Sequence, residues 1–163
     1  LGDEGQDLGA YQAFGDVFLH LGHDFAKVKN YRRELNLDRA VHRVTYEFEG
    51  VRYERTAFAS HPDGVIVLRL TASKPGAYSG RVQLADMHQA HITAESSRLR
   101  SVGRLPNGFE YEAQLAVLHE GGSVAAATDE TPARNPWNIA VPAQSLVLDR
   151  CDAVTLILAA GTS

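Results

Sequence analysis

The chain has 163 residues, 44% of them hydrophobic and 22% charged, with 16 basic against 20 acidic residues and a net charge of −4. That length suits one domain with a real core, and the charge balance leaves no electrostatic footprint for nucleic acid or an anionic membrane surface. The longest apolar run, AVTLILAA at 153–160, is strand-sized against the ~20 residues of a membrane span, and a single cysteine, Cys151, excludes an internal disulfide.

Taken in order, apolar residues recur mostly with period two, and Gly, Pro, Asn and Asp interrupt them every 8–14 residues. This pattern predicts an all-β antiparallel sandwich or barrel. AFGDVFLHL (13–21) reads as a strand. YRRELNL (31–37) holds good helix formers, yet Tyr31, Arg33, Leu35 and Leu37 alternate against Arg32, Glu34 and Asn36. Among strands, packing outweighs that weak propensity, so 31–37 is assigned as a strand bent at Asp38-Arg39. In VTYEFEGVRYERTAFA (44–59), Val44, Tyr46 and Phe48 share a face, Glu49-Gly50 makes a tight turn, and Val51 and Tyr53 continue on the return.

SHPDG (60–64) is a turn in which Pro62 sets its own φ while Asp63 and Gly64 tolerate turn geometry. VIVLRLTA (65–72) is apolar on both faces at first and is expected to be a central strand covered on both sides. After a turn at SKPGA (73–77), strands are expected at 78–85, 91–95 and 98–102. LPNG (105–108) is a hairpin turn. FEYEAQLAVLH (109–119) aligns Phe109, Tyr111, Ala113, Leu115 and Val117. SVAAAT (123–128), SLVLD (145–149) and AVTLILA (153–159) close the series. The stretch 129–144 holds three of the six prolines, which strands rarely accept, so it is read as an inserted loop pinned by Trp137.

Chemistry-bearing groupings are sparse. DMHQAH brings Asp86, His88 and His91 close in sequence, and imidazole and carboxylate are zinc donors. Histidines three apart suit a helix rather than a strand, and no HExxH or Cys-rich partner is present. A polar turn with surface histidines is the better reading, and no metal or cofactor is assigned. An enzyme built on this turn would require Asp86, His88 and His91 to converge on one point. DLGAYQAFGD (7–16) lacks the Gly-Lys-Ser/Thr of a phosphate loop. Ser60-His61 lacks a nucleophile elbow, and Cys151 sits at a turn before an apolar strand. Glu47, Glu49, Glu54, Glu110 and Glu112 are numerous enough to suggest a glycosidase pair, but they alternate outward like a solvated sheet face. Tyr11, Tyr78 and Trp137 are candidates for a sugar-stacking platform.

One resemblance adds to this. The chain is similar to the N-terminal β-domain of glycoside hydrolase family 95, the α-L-fucosidases. Tyr11, Gln12, Gly15 and Asp16 match its Tyr-Gln-x-x-Gly-Asp entry. Tyr31 to Ala40 match a Tyr-Arg-Arg-Glu-Leu-x-Leu-x-x-Ala segment. The aromatic- and arginine-rich hairpin at 44–59, the Ser60–Asp63 turn and the tail LVLDRCDAVTLILAAGTS within 145–163 match as well. Residues 9–85 carry most of the likeness, and 86–144 diverge. Family 65 has a domain of similar architecture; the Tyr31–Ala40 segment favours family 95.

The resemblance implies an antiparallel super-sandwich over 1–163, incomplete at its N-terminal side because the family's Gly-rich start is missing. It implies a partner, a catalytic (α/α)6 barrel in the same polypeptide, which hydrolyses terminal α-L-fucosides with inversion, so that fucosylated glycans reach this domain only through the parent enzyme. No residue of this chain is assigned a catalytic role. Tyr11, Gln12 and Asp16 are expected at a substrate-pocket rim, and Arg32, Arg33 and Arg39 at an interdomain interface. The chain does not begin with Met and shows no basic-then-apolar leader, so any signal peptide is expected to be removed or to lie outside these residues. An exported enzyme is the expectation from the resemblance. The alternative is a stand-alone carbohydrate-binding sandwich. An exposed aromatic platform would favour that module, and a large bare apolar face would favour a supporting domain.

Overall fold

The computed structural model describes residues 14–128 and 143–163. These residues form an all-β sandwich of two antiparallel sheets. The strands are β1 (Asp16–His20), β2 (Lys29–Asn36), β3 (Val41–Phe48), β4 (Val51–Ser60), β5 (Val65–Ala72) and β6 (Tyr78–Ala85). They continue with β7 (His91–Glu95), β8 (Arg98–Arg104), β9 (Glu110–Glu120), β10 (Ser123–Thr128), β11 (Gln144–Cys151) and β12 (Ala153–Thr162). The small sheet has the order β1-β6-β11-β10 and the large sheet β2-β3-β4-β5-β12-β9-β8-β7.

The turns follow from their residues. Glu49 and Gly50 both adopt positive φ, 49° and 74°, as a tight hairpin following the right-handed twist requires. At LPNG the Gly108 amide donates to Leu105 O and the Leu105 amide to Phe109 O. β11 passes almost directly into β12, so the chain changes sheets at Asp152 alone. A register shift between Leu148 and Cys151, with Arg150 at φ 49°, turns the strand there.

Register sorts the large sheet into two faces. Tyr46 opposes Tyr53, Arg55 opposes Leu70, and Leu70 opposes Val154 on the inner face. The core there joins Tyr46, Tyr53, Leu70, Leu99, Leu115, Val117, Val154 and Leu156 to Tyr78, Val82, Leu84, Leu146 and Leu148 of the small sheet. The outer face carries Arg43–Glu54, Arg69–Glu120 and Arg100–Glu112 ion pairs, all exposed to partly exposed. Such pairs each contribute ~1 kcal/mol at most, so the apolar inner face holds the sandwich together.

The small sheet crosses the large one diagonally. Tyr78, at the start of β6, donates its hydroxyl to Thr71 O on β5 (2.9 Å). The other end of β6 runs into Asp86, beside Tyr111 at the opposite end of β9. β10 and β11 flank β6 toward β7 and β8. β1 flanks its other side, with Val17 and Leu19 on the core. Four strands cannot cover eight. Beyond β1, the inner face of β2–β5 has no covering strand among the described residues, and Leu35 (61%) and Ile66 (53%) are exposed there.

Three expectations are corrected by this asymmetry. Residues 31–36 do form a strand, within β2, while Leu37 lies in the turn that follows; the apolar stripe does not pack into the sandwich, and Tyr31, Leu35 and Leu37 are exposed. β5 is central, yet it is not covered on both sides. Arg69 on its outer face reaches Thr155 and Glu120 in solvent-exposed bonds. Phe109 lies in the turn before β9, partly exposed, while Tyr111, Ala113, Leu115 and Val117 are buried as expected. The loop at 129–142, with Trp137, lies outside the described residues.

β1 and β6, neighbours in the small sheet, pack tightly at Gly80. A Cβ on Gly80 (φ +150°) would press into the His20 carbonyl of the adjoining strand. Gly80→Ala is therefore expected to cost about 1–3 kcal/mol, read as a lowered thermal midpoint. Gly161→Ala, whose added methyl would meet open space, is expected to stay within about 0.5 kcal/mol of the parent chain.

Candidate functional site

The residues singled out from sequence do not form one site. Tyr11 and Gln12 lie outside the described residues. Asp16 is exposed at the start of β1. Arg32 is on the outer face, where its guanidinium is bonded to Glu34 of its own strand (2.8 Å). Arg33 is one residue on, so it shares the inner face with Leu35, and it is exposed. Arg39 sits in the β2–β3 turn, its backbone amide bonded to Asn36 Oδ1 (2.9 Å).

DMHQAH is structural. One carboxylate oxygen of Asp86 accepts from the His88 amide (2.6 Å) and the Ala90 amide (2.7 Å). It thereby caps the crossover from β6 to β7. Its other oxygen is buried beside the Tyr111 hydroxyl. Burial and the adjacent carboxylate push that hydroxyl up to about 12. The His88 ring meets the Tyr111 ring edge-on (6.0 Å between centroids), while His91 lines a shallow groove of about 630 Å³ with Arg104, Glu110 and Glu112. No group of three or more His, Cys, Asp or Glu able to hold a metal occurs among the described residues.

The remaining candidates are likewise committed elsewhere. Ser60 Oγ donates to Asp63, not to His61. The Cys151 thiol is buried and bonded to Ser123 O (3.4 Å), and burial pushes it up, away from thiolate. Glu112 is clasped by Arg100 through two bonds of 2.7 Å and by Gln114 (2.6 Å). Those bonds hold its carboxyl down at about 2, the wrong direction for a general acid. Tyr78 is fully buried, so it cannot join a stacking platform with Tyr11 and Trp137, which lie outside the described residues.

The most elaborate polar arrangement was not anticipated. His23, on the segment joining β1 to β2, lies over the β3–β4 hairpin. Its ring stacks on Phe48 (4.7 Å) and tilts over Tyr53 (4.5 Å), and its Nδ1 is 2.9 Å from the Tyr46 hydroxyl. Arg55 donates from NH2 to the same hydroxyl (3.0 Å), its guanidinium 5.3 Å from the Tyr46 ring centroid. A tyrosine hydroxyl has one proton to give. The same hydroxyl shares a hydrogen bond with His23 Nδ1 whose direction follows the imidazole tautomer. Desolvation first, then the Arg55 charge, lower the His23 pKa. Arg55 Nε is buried without a hydrogen bond among the described residues. The sequence signal was an arginine among apolar inward positions of β4, opposite tyrosine-bearing β3.

The chain can now be compared with known proteins. The family described as "Glycosyl hydrolase family 65, N-terminal domain" matches residues 1–163. "Alpha-L-fucosidase 2" of Arabidopsis thaliana is 28% identical over 172 residues, 98% of this chain and 20% of the relative. "Probable alpha-fucosidase A" of Aspergillus niger is 35% identical over 119 residues, 71% of this chain and 15% of the relative. The chain thus spans about a fifth or less of the curated relatives it matches. Among solved structures, a heparinase III gene product aligns over 83% of this chain and 21% of its own, at 16% identity and a TM-score of 0.38. That likeness is too loose to carry an argument.

Two outcomes follow from the His23 node. Unfolded His23 titrates near 6.5 and the folded side chain below it, so its contribution is complete above 6.5 and fades as pH falls through the folded value. The thermal midpoint of the parent chain should drop more between pH 8 and pH 5 than that of His23→Gln. Tyr46→Phe removes the acceptor of Arg55 and the hydroxyl partner of His23. It should cost about 1–3 kcal/mol, measured by urea unfolding with an unchanged slope.

Proposed function

Because the chain belongs to the family of glycosyl hydrolase family 65 N-terminal domains, we propose that it is the non-catalytic β-domain of a longer hydrolase of the α-L-fucosidase type, most akin to family 95. The observation that carries this reading is the unequal coverage of its relatives. The Arabidopsis protein, named for α-L-fucosidase activity, matches nearly all of this chain with only a fifth of its own length. Hydrolysis of terminal α-L-fucosides then belongs to a helical-barrel domain elsewhere in the polypeptide.

The chemistry of the described residues supports a supporting role. The outward carboxylates Glu54, Glu112 and Glu120 are bound to arginines and Glu47 to Asn30. Histidines 23 and 88 pack against tyrosines. In this reading Tyr11, Gln12 and Asp16 face the rim of the substrate pocket, and the exposed Arg32, Arg33 and Arg39 serve the interdomain contact. Planar guanidinium donors suit carboxylates and helix C-terminal carbonyls on a partner domain.

The test is hydrolysis of a chromogenic α-L-fucoside by this chain and by a polypeptide of the relatives' length that contains it. Turnover by the longer polypeptide alone is expected. Turnover by the 163 residues would overturn the non-catalytic reading, and turnover by neither would overturn the fucosidase reading.

A further inference from the structure

The outer face of β2–β4 carries a groove whose charge the neighbouring ion pairs leave unbalanced. At one end a hollow of about 220 Å³ is lined by Arg32 and Glu34 of β2, Arg43 and Thr45 of β3, and Arg52 of β4. Register explains the convergence. Arg32 opposes Thr45, Arg43 lies two residues along the same strand, and Arg52 opposes Glu47 on its other side. Residues two apart share a face, so guanidinium groups from three adjacent strands gather around one threonine hydroxyl.

Two of these arginines are held by carboxylates: Arg32 by Glu34 (2.8 Å) and Arg43 by Glu54. Arg52 is not. Glu47, directly opposite it, accepts instead from Asn30 (2.9 Å), and the Arg52 guanidinium has no hydrogen bond or ion pair among the described residues. Three arginines against one lining carboxylate leave the hollow cationic. Guanidinium forks match the oxygens of a carboxylate or sulfate.

The hollow has a continuation. A second one, of about 430 Å³, shares Glu34 and Arg43 with the first and passes Asn36 and Thr56 to reach Phe58. From Arg52 to Phe58 along β4 is about 20 Å. Phe58 is 41% exposed, on the same face as Arg52 and Thr56. An amide and a hydroxyl suit sugar hydroxyls, and an exposed aromatic ring suits the apolar face of a pyranose.

We propose that this groove binds an acidic saccharide, with its carboxylate or sulfate at Arg52, Arg43 and Thr45 and its rings along Asn36 and Thr56 to Phe58. The anion end stands on the unpaired arginine. The choice of a saccharide rests on Phe58 and on the glycosidase reading of the chain.

Calorimetric titration tests it, on the 163-residue chain and on a polypeptide of the relatives' length. The probes are a galacturonic acid tetramer, a sulfated galactose tetramer, a neutral galactose tetramer and inorganic sulfate. Saturable binding of at least one acidic tetramer is expected, with the neutral tetramer about tenfold weaker or worse. Arg52→Gln should weaken both the acidic tetramer and inorganic sulfate about tenfold. Phe58→Ala should weaken the tetramer and leave inorganic sulfate unchanged. Glu34→Gln, which removes the lining carboxylate, should tighten both. Arg69→Gln, at an arginine outside the groove, should change nothing. No saturable binding of either acidic tetramer overturns the proposal, as does equal binding of the neutral one. An equal loss on Arg69→Gln means diffuse surface charge and also overturns it. Binding by the short chain that is lost in the longer polypeptide makes the groove an interdomain contact, with the same result. Fucoside turnover is scored separately. Turnover without binding sinks only this site, and binding without turnover sinks only the fucosidase reading.

Discussion

Each time the chain changes sheets it must leave a hydrogen-bond ladder and then re-enter another, and the structure depends on how those departures are closed. A backbone amide or carbonyl that leaves a ladder inside the protein needs a new partner. The described strands change sheets between β1 and β2, β5 and β6, β6 and β7, β9 and β10, and β11 and β12. Particular side chains close them. Asp86 takes two amides at the β6–β7 crossover. Asp152 accepts from the Gly76 amide (2.6 Å), while its own amide donates to Glu120 O (2.7 Å), tying three crossovers together. His119 reaches Gly121 O at the β9 end (2.8 Å), and His23 straps the β1–β2 segment onto the hairpin through Tyr46.

The crossovers take up groups that the sequence offered for chemistry. Histidine and aspartate are the residue types an active site would use, and here Asp86 and Asp152 bond backbone amides, His119 a carbonyl and His23 a tyrosine. Asp86 and His88 are neighbours in sequence, but the carboxylate faces the crossover amides and the imidazole faces an aromatic edge. A site needs groups that converge with capacity to spare. The Tyr46 hydroxyl does join two such side chains, but it bonds both at once, and the result is a clasp.

The second organising fact is the unequal width of the sheets. Eight strands facing four leave an inner surface whose pattern was made for burial. On the outer face most acid and base residues neutralise one another. At the bare inner corner the arginines lack that company.

Period-two alternation and turn chemistry determined the all-β class, nearly every strand, the Glu49-Gly50 and LPNG hairpins, and the outward run of glutamates. These are local properties: pleating sends neighbours to opposite faces, and a tight turn needs residues that accept positive φ. The motif resemblance carried the glycosidase connection, which the family match then supported at the coarser level of an N-terminal domain. Only the tertiary structure decided which apolar faces are covered. Leu35 and Leu70 are the same residue type on inward positions of their strands, and one is exposed while the other is wholly buried. The difference is set by where the small sheet crosses, a relation between segments far apart in the chain. For the same reason the sequence showed only the arginine of the His23–Tyr46–Arg55 clasp, among inward apolar positions, since its partners lie 23 and 9 residues apart and meet only when the first crossover folds back over the hairpin.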